Sequence, residues 1–206
     1  MENAIRAPVI TFSRLRMRTD GQGVTTLVCF HGCPLRCQWC LNPFSFAPDT
    51  KRTPMTPAAL YEQVRIDNLY FLATGGGITF GGGEPLLYAD FLAEFRRICG
   101  RYWHLCAETS LHVPWENAET AASCIDHFYI DCKDCNPDIY RRYTGQDNAR
   151  MLDNLQMLLA LVGPERITVR VPLIPEFNTE KDRHHSVELL KQAGITQFDL
   201  FTYRTK

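Results

Sequence analysis

Short apolar runs alternate with amphipathic segments six times along the chain. Val24–Phe30 is β-branched and apolar, which predicts a buried first strand. A proline-bearing stretch follows, through Pro43, Pro48, Pro54 and Pro57. Thr56 is placed to cap a helix with Pro57 in its first turn. The pattern carries that helix to about Ala73, and Gly75-Gly76-Gly77 ends it. A second strand spans 78–80 and breaks at Gly81-Gly82-Gly83. Residues 89–99 read as an amphipathic helix, 102–108 as a third strand, 115–124 as a helix and 127–131 as a fourth strand. Two helices over 137–143 and 149–161 precede a fifth strand at 166–173. A helix at 179–192, stopped by Ala193-Gly194, leads to a sixth strand at 196–202.

Such alternation implies an α/β protein built from parallel βαβ units with right-handed crossovers. Six units are too few to close an eight-fold barrel, and the chemistry-bearing residues fall at strand C-terminal ends, where barrel active sites lie.

Length, at 206 residues, suits one domain spanning 1–206, and 45% apolar residues suffice for a core. The net charge of −1 provides no global field for nucleic acid or an anionic membrane. Arg96-Arg97 and Arg141-Arg142 read as solvated helix faces. Met1–Arg6 lacks the apolar core of a secretion signal, and no apolar run is long enough for a membrane span. Nine cysteines without an export signal point to a reducing, low-oxygen cytoplasm rather than a disulfide framework.

Three of those cysteines, Cys33, Cys37 and Cys40, follow the first strand with Cys-x3-Cys-x2-Cys spacing. Three thiolates on one loop leave one position of a four-ligand site open, which signals chemistry rather than a structural clip. Thiolate ligation suits an iron–sulfur cluster or zinc. The zinc reading needs a fourth ligand, His31 or a remote cysteine, and would make the protein a non-catalytic binding module.

The Cys-x3-Cys-x2-Cys run, with Trp39 before its last cysteine, resembles the motif of the radical S-adenosylmethionine (SAM) enzymes. Asp20-Gly21-Gln22-Gly23, His31-Gly32-Cys33, Gly81-Gly82-Gly83-Glu84-Pro85, Glu108-Thr109, Asp131-Cys132-Lys133 and Arg170-Val171-Pro172 extend the resemblance over nearly the whole chain. Together they are similar to the glycyl-radical-enzyme activating enzymes, of the pyruvate formate-lyase activator type. The resemblance implies a partial (β/α)6 barrel open on one side, in agreement with the strand count; the cysteine-rich ferredoxin-like domain that many such activators carry after the first motif is expected to be absent from this sequence. With the sequence ending at Lys206, just past the sixth strand, the open side is expected to stay uncovered and to suit a protein loop as substrate.

The resemblance also implies roles. Cys33, Cys37 and Cys40 would hold one [4Fe-4S] cluster, with Trp39 and Asn42 beside it. Gly82 and Gly83 would meet the SAM ammonium, with Glu84 shaping the turn. Glu108, Thr109 and Asp131 would hold SAM or a monovalent cation, Lys133 would face the SAM carboxylate, and Arg170 would contact SAM. Each has a plainer reading: a tight turn before a helix for the glycines, a structural ion pair for the acids and lysine, and a snorkelling edge residue for Arg170. Asp20 is a turn or cap residue, or lies on the substrate side.

Three departures stand out. Gln22 replaces a usual proline, Leu41 a frequent histidine, and Tyr203-Arg204 a Tyr-His pair, so that Arg204 carries a different substrate contact or none. Cys132 and Cys135 form Cys-Lys-Asp-Cys, read either as a second cluster or, with Cys29, Cys99, Cys106 and Cys124, as small buried apolar residues. The implied function is an oxidoreductase that cleaves SAM reductively and abstracts hydrogen from a glycine of a partner glycyl radical enzyme. A flavodoxin- or ferredoxin-type donor would supply its electron. The rival is a minimal radical SAM enzyme acting on a small molecule.

Overall fold

A computed structural model describes residues 4–17 and 19–203. Six parallel strands form the frame: β2 (Val24–Phe30), β4 (Gly77–Gly82), β5 (His104–Thr109), β6 (His127–Asp131), β7 (Ile167–Arg170) and β8 (Phe198–Asp199). They are neighbours in chain order. Each crossover therefore steps one strand further in the same direction, which puts the helices on one face and curls the sheet around the other. Among the described residues the two edges of the sheet do not pair, so the sheet stays an open half-barrel.

Two strands lie beyond the predicted set. β1 (Ala7–Met17) pairs antiparallel with β2, and the short β3 (Thr53–Met55) pairs antiparallel with β1, giving an eight-stranded sheet. The predicted long helix over 56–73 is two helices, α1 (Pro57–Val64) and α2 (Asn68–Thr74), separated by a 3-10 turn over Arg65–Asp67. That turn aims the buried Asp67 carboxylate inward. There it accepts both arms of the Arg14 guanidinium at 2.8 and 2.6 Å and the Thr26 hydroxyl at 3.3 Å, tying α2 to the hairpin. β7 stops at Arg170 because Pro172 has no N–H for the ladder, and only Leu173 bridges onward, to Thr202.

The remaining helices are α3 (Ala89–Cys99), α4 (Trp115–Ala122), α5 (Pro137–Thr144), α6 (Ala149–Val162) and α7 (Glu180–Gln192). Strand alternation sorts the two sheet faces. Ile78, Phe80, Leu105, Ala107, Phe128, Ile130 and Val169 belong to the hydrophobic core shared with the helices. The other face carries Thr79, Cys106, Glu108, Tyr129, Asp131 and Arg170. Arg96, read as a solvated position, is instead buried at 7% exposure. It pairs with Asp126 and donates to the carbonyls of Cys124, Gly100 and Trp103, because a guanidinium can enter a core only when its fork is saturated. No helix among the described residues is long and apolar enough to cross a membrane.

Candidate active site

Strand C-termini converge on a cavity of ≈ 160 Å³. The loop after β2 brings Cys33, Cys37, Cys40 and Asn42 to its wall; β4 brings Gly82, Gly83 and Glu84; β5, β6 and β7 bring Glu108, Thr109, Asp131, Lys133 and Arg170. Residues separated by more than a hundred positions thus line one space.

Hydrogen bonds within the chain pin the cysteine loop. Its Arg36 donates to the carbonyls of Cys33 (2.6 Å) and Leu35 (2.8 Å), and its amides at Arg36 and Gln38 bond to Thr144 and Tyr143 at the end of α5. Cys40 N donates to Cys37 O at 3.2 Å, closing a turn between two cysteines that both line the cavity. Burial pushes the Cys33 thiol up to about 12. It also takes Cys37 up to about 11, although Lys133 pulls that thiol the other way.

The turn after β4 locks onto this loop. Gly83 N donates to Phe30 O at 3.0 Å and Glu84 N to Gly32 O at 2.7 Å. The approach demands glycine: a Cβ on Gly83 would sit 2.1 Å from the Gly32 carbonyl oxygen, and Gly82 holds φ +85 against Cys29. Glu84 is wholly enclosed, and its carboxylate accepts four bonds, from the Thr109 hydroxyl (2.6 Å), Ser110 N (2.9 Å), the Ser110 hydroxyl (2.7 Å) and Leu86 N (3.1 Å). Burial nevertheless raises its pKa, the four donors only partly offsetting it.

An ionic row crosses the strand tops because register places Asp131 opposite Arg170 and Arg170 opposite Asp199. Arg170 bonds Glu108 at 2.6 Å and lies 4.0 Å from Asp131 and 3.7 Å from Asp199. Its guanidinium also stacks over Tyr129. Lys133 bonds Asp131 and the Tyr203 hydroxyl, each at 2.9 Å. Burial works to discharge Lys133, but Asp131 and Tyr203 outweigh it and hold the ammonium well above its ordinary range. For Asp131 burial is likewise the largest influence, and Lys133 and Arg170 together overcome it and lower the carboxyl. Burial raises Glu108, with Arg170 opposing. Fixed cations alternating with carboxylates suit a zwitterionic amino-acid group, whose two charges each find a partner.

Some predicted residues stand apart. Trp39 does not line the cavity, and its indole N–H is buried with no hydrogen-bond partner among the described residues. Asp20 is buried and does not line the cavity; its carboxylate pairs with Arg16, while its carbonyl accepts from the Thr79 hydroxyl. Glu108, weighed for a monovalent cation, is engaged by Arg170. Arg204 lies outside the described residues. Leu35, Ser110, Phe201 and Tyr203 also line the cavity. Tyr203 had a signal in its position beside Arg204; Phe201 had none.

The donor set discriminates between metals. No group of three or more His, Cys, Asp and Glu side chains among the described residues draws together tightly enough for a single ion. His31, the candidate fourth zinc ligand, has Nε2 3.0 Å from the Ala47 carbonyl instead. Three thiols spaced along one loop fit separate metal atoms of a cluster, one thiolate to each.

Comparison with known proteins agrees. The radical SAM superfamily profile matches residues 27–198. The (2S)-3-sulfopropanediol dehydratase activating enzyme of Klebsiella oxytoca is 28% identical over 78% of this chain and 69% of its own length. The pyruvate formate-lyase 2-activating enzyme of Escherichia coli is 28% identical, with 89% and 73% covered. The crystal structure of Streptococcus suis SuiB superposes with a TM-score of 0.64 at 14% identity over 85% of this chain. The chain spans 38% of SuiB, and this likeness is one of fold.

Proposed function

The chain belongs to the radical SAM superfamily, and from that premise we propose that it activates a glycyl radical enzyme by abstracting hydrogen from a glycine of that partner. The cavity's composition carries the proposal: three thiols, a charged lysine and a carboxylate–arginine row face one small space at the open end of the half-barrel. The relatives named above, both activating enzymes, support the choice of a protein as substrate.

In this reading Cys33, Cys37 and Cys40 hold a [4Fe-4S] cluster as thiolates. The raised pKa values of the Cys33 and Cys37 thiols mean that loading releases protons. When bound, the cluster and SAM would supply radical chemistry through reductive cleavage of the sulfonium carbon–sulfur bond. Lys133 presents a point charge to the SAM carboxylate. The amides of Gly83 and Glu84 are already used within the fold, so this turn serves an ammonium through its carbonyls. Arg170, clamped by Glu108, orients the cofactor's remaining polar groups, and Thr109 serves through its hold on Glu84. Asn42 lines the cavity beside Cys40, and Trp39, on the same loop, stands off the cavity wall. The reading extends to a single radical SAM core over 1–206 and a flavodoxin- or ferredoxin-type electron donor.

Glycine suits the site. Without a side chain its backbone enters deeply, and its α-radical is delocalised over the flanking amides. The partner's loop must leave its own fold to reach the cavity, so the contact is transient.

Anaerobic reconstitution with iron and sulfide should give a brown protein absorbing near ~400 nm. Incubated with SAM, reductant and a candidate glycyl radical enzyme, it should produce deoxyadenosine and a glycine-centred doublet in electron paramagnetic resonance. Deoxyadenosine with a small molecule consumed and no partner radical would favour the rival small-molecule enzyme.

A further inference from the structure

Cys132 and Cys135 lie outside the proposed cofactor set, on the loop leaving β6, with their sulfurs 3.8 Å apart. A disulfide is about 2 Å long, so less than about 2 Å of approach separates this pair from a bond. The two thiols differ in setting. Cys132 is fully enclosed in the core. Cys135 is half-buried and opens into an apolar cleft of ≈ 340 Å³ between α6 and α7, walled by Leu152, Leu155, Leu159 and Leu190.

The surrounding bonds keep the pair in place. Cys135 N–H donates to the Ser186 hydroxyl at 2.9 Å, and Asn148 Nδ2 donates to the Cys135 carbonyl at 2.7 Å. Between them Asp134 is held by Ser186 and Asn178, at 3.2 and 3.0 Å.

From this geometry we infer that Cys132 and Cys135 form a redox-active dithiol, distinct from the three cluster cysteines, that a small apolar disulfide entering the α6–α7 cleft oxidises reversibly. Cys135 is the attacking thiol and Cys132 the resolving one. The Cys135 thiolate attacks one sulfur of the small disulfide, forms a mixed disulfide and expels a small thiolate. Cys132 then loses its proton, attacks Cys135 Sγ, closes the intramolecular bond and expels the second thiolate. Two electrons pass to the small disulfide, and two small thiols leave with two protons.

Exposure assigns the order: Cys135 is the half-buried thiol that lines the cleft, whereas Cys132 is fully buried and does not line it. The other four cysteines cannot compete: burial pushes Cys29 and Cys99 up to about 11 and Cys106 and Cys124 up to about 12.

Dipyridyl disulfide is the probe, added anaerobically to the reconstituted holoenzyme, with thiopyridone release followed by absorbance. Peptide mass spectrometry then separates the Cys132–Cys135 crosslink from any reaction at the cluster cysteines. Wild type should release two thiopyridones per chain and carry that crosslink, which dithiothreitol reverses. C132S should stop after one release with a mixed disulfide on Cys135, and C135S should lose the fast release altogether. Cys135 should react at least ~10-fold faster than the four buried thiols. Equal release from C132S and wild type, a crosslink mapped elsewhere, or a Cys135 no faster than the buried four would overturn the inference. The wild-type mapping and the C135S arm decide it even if the buried Cys132 tolerates no substitution.

Discussion

Lys133 holds the site's charge balance, because it is the enclosed cation between Asp131 and Tyr203. Removing it as K133M leaves Asp131 facing only the more distant Arg170. The expected cost is the low end of about 3–5 kcal/mol, since Asp131 retains some solvent. Urea unfolding measures that cost, and SAM binding to the reconstituted variant should fall with it. Glu84 makes a pH-dependent prediction. Folding raises its pKa above the ordinary 4.5, so the folded state holds the proton longer than the unfolded chain. Its contribution to stability therefore declines as pH climbs from 4.5 towards the folded value, and is flat below 4.5. E84Q cannot titrate. The stability gap between wild type and E84Q should shrink as pH rises through the acidic-to-neutral range, and a constant gap in urea midpoints would contradict the raised carboxyl.

Turns and caps govern the elements. The β4 turn and the cysteine loop form one unit through Gly83, where a methyl group would meet the Gly32 carbonyl oxygen at 2.1 Å. Backbone cannot step aside as a flexible side chain can. G83A should cost at least the about 1–3 kcal/mol of an overpacked core and reduce iron bound per chain after reconstitution. A fully loaded, fully stable G83A would show the two loops to be independent. α7 begins with a reciprocal cap, Thr179 accepting from Asp182 N and Asp182 accepting from Thr179 N. T179A should cost about 1 kcal/mol, read as a lower urea midpoint with cluster loading unchanged.

For the whole molecule, one curved sheet open at both edges sets the pattern of stability. β4, β5 and β6 have a strand on each side and helices on the core face, whereas β3 and β8 close the sheet with three and two residues. Amide hydrogen exchange should protect the three central strands longest and release β3 and β8 first. Early exchange in β5 would contradict the order. The openness is also functional in the proposed reading, because a loop of a partner enters where a closed barrel would bar it.

Much of this was legible along the chain because it depends on local physics. The six parallel strands announced themselves as apolar runs punctuated by glycine and proline. The cysteine spacing and the motifs at strand ends named twelve of the seventeen residues of the cavity wall. β1 was not legible: beyond Val9 it is largely half-exposed or exposed, and its strand character comes from pairing with β2 rather than from its own pattern. The break in the first helix was hidden for a similar reason, since its cause is a buried Asp67 whose partners, Arg14 and Thr26, lie 53 and 41 positions away. Tertiary structure alone sank Arg96 into the core, enclosed Glu84 among four donors and set Cys132 against Cys135. Residue types and spacing declare which chemistry a chain can host. Which charges are paired, which thiols meet and which side chains lose their water depends on contacts between distant segments, and those exist only once the sheet has curled.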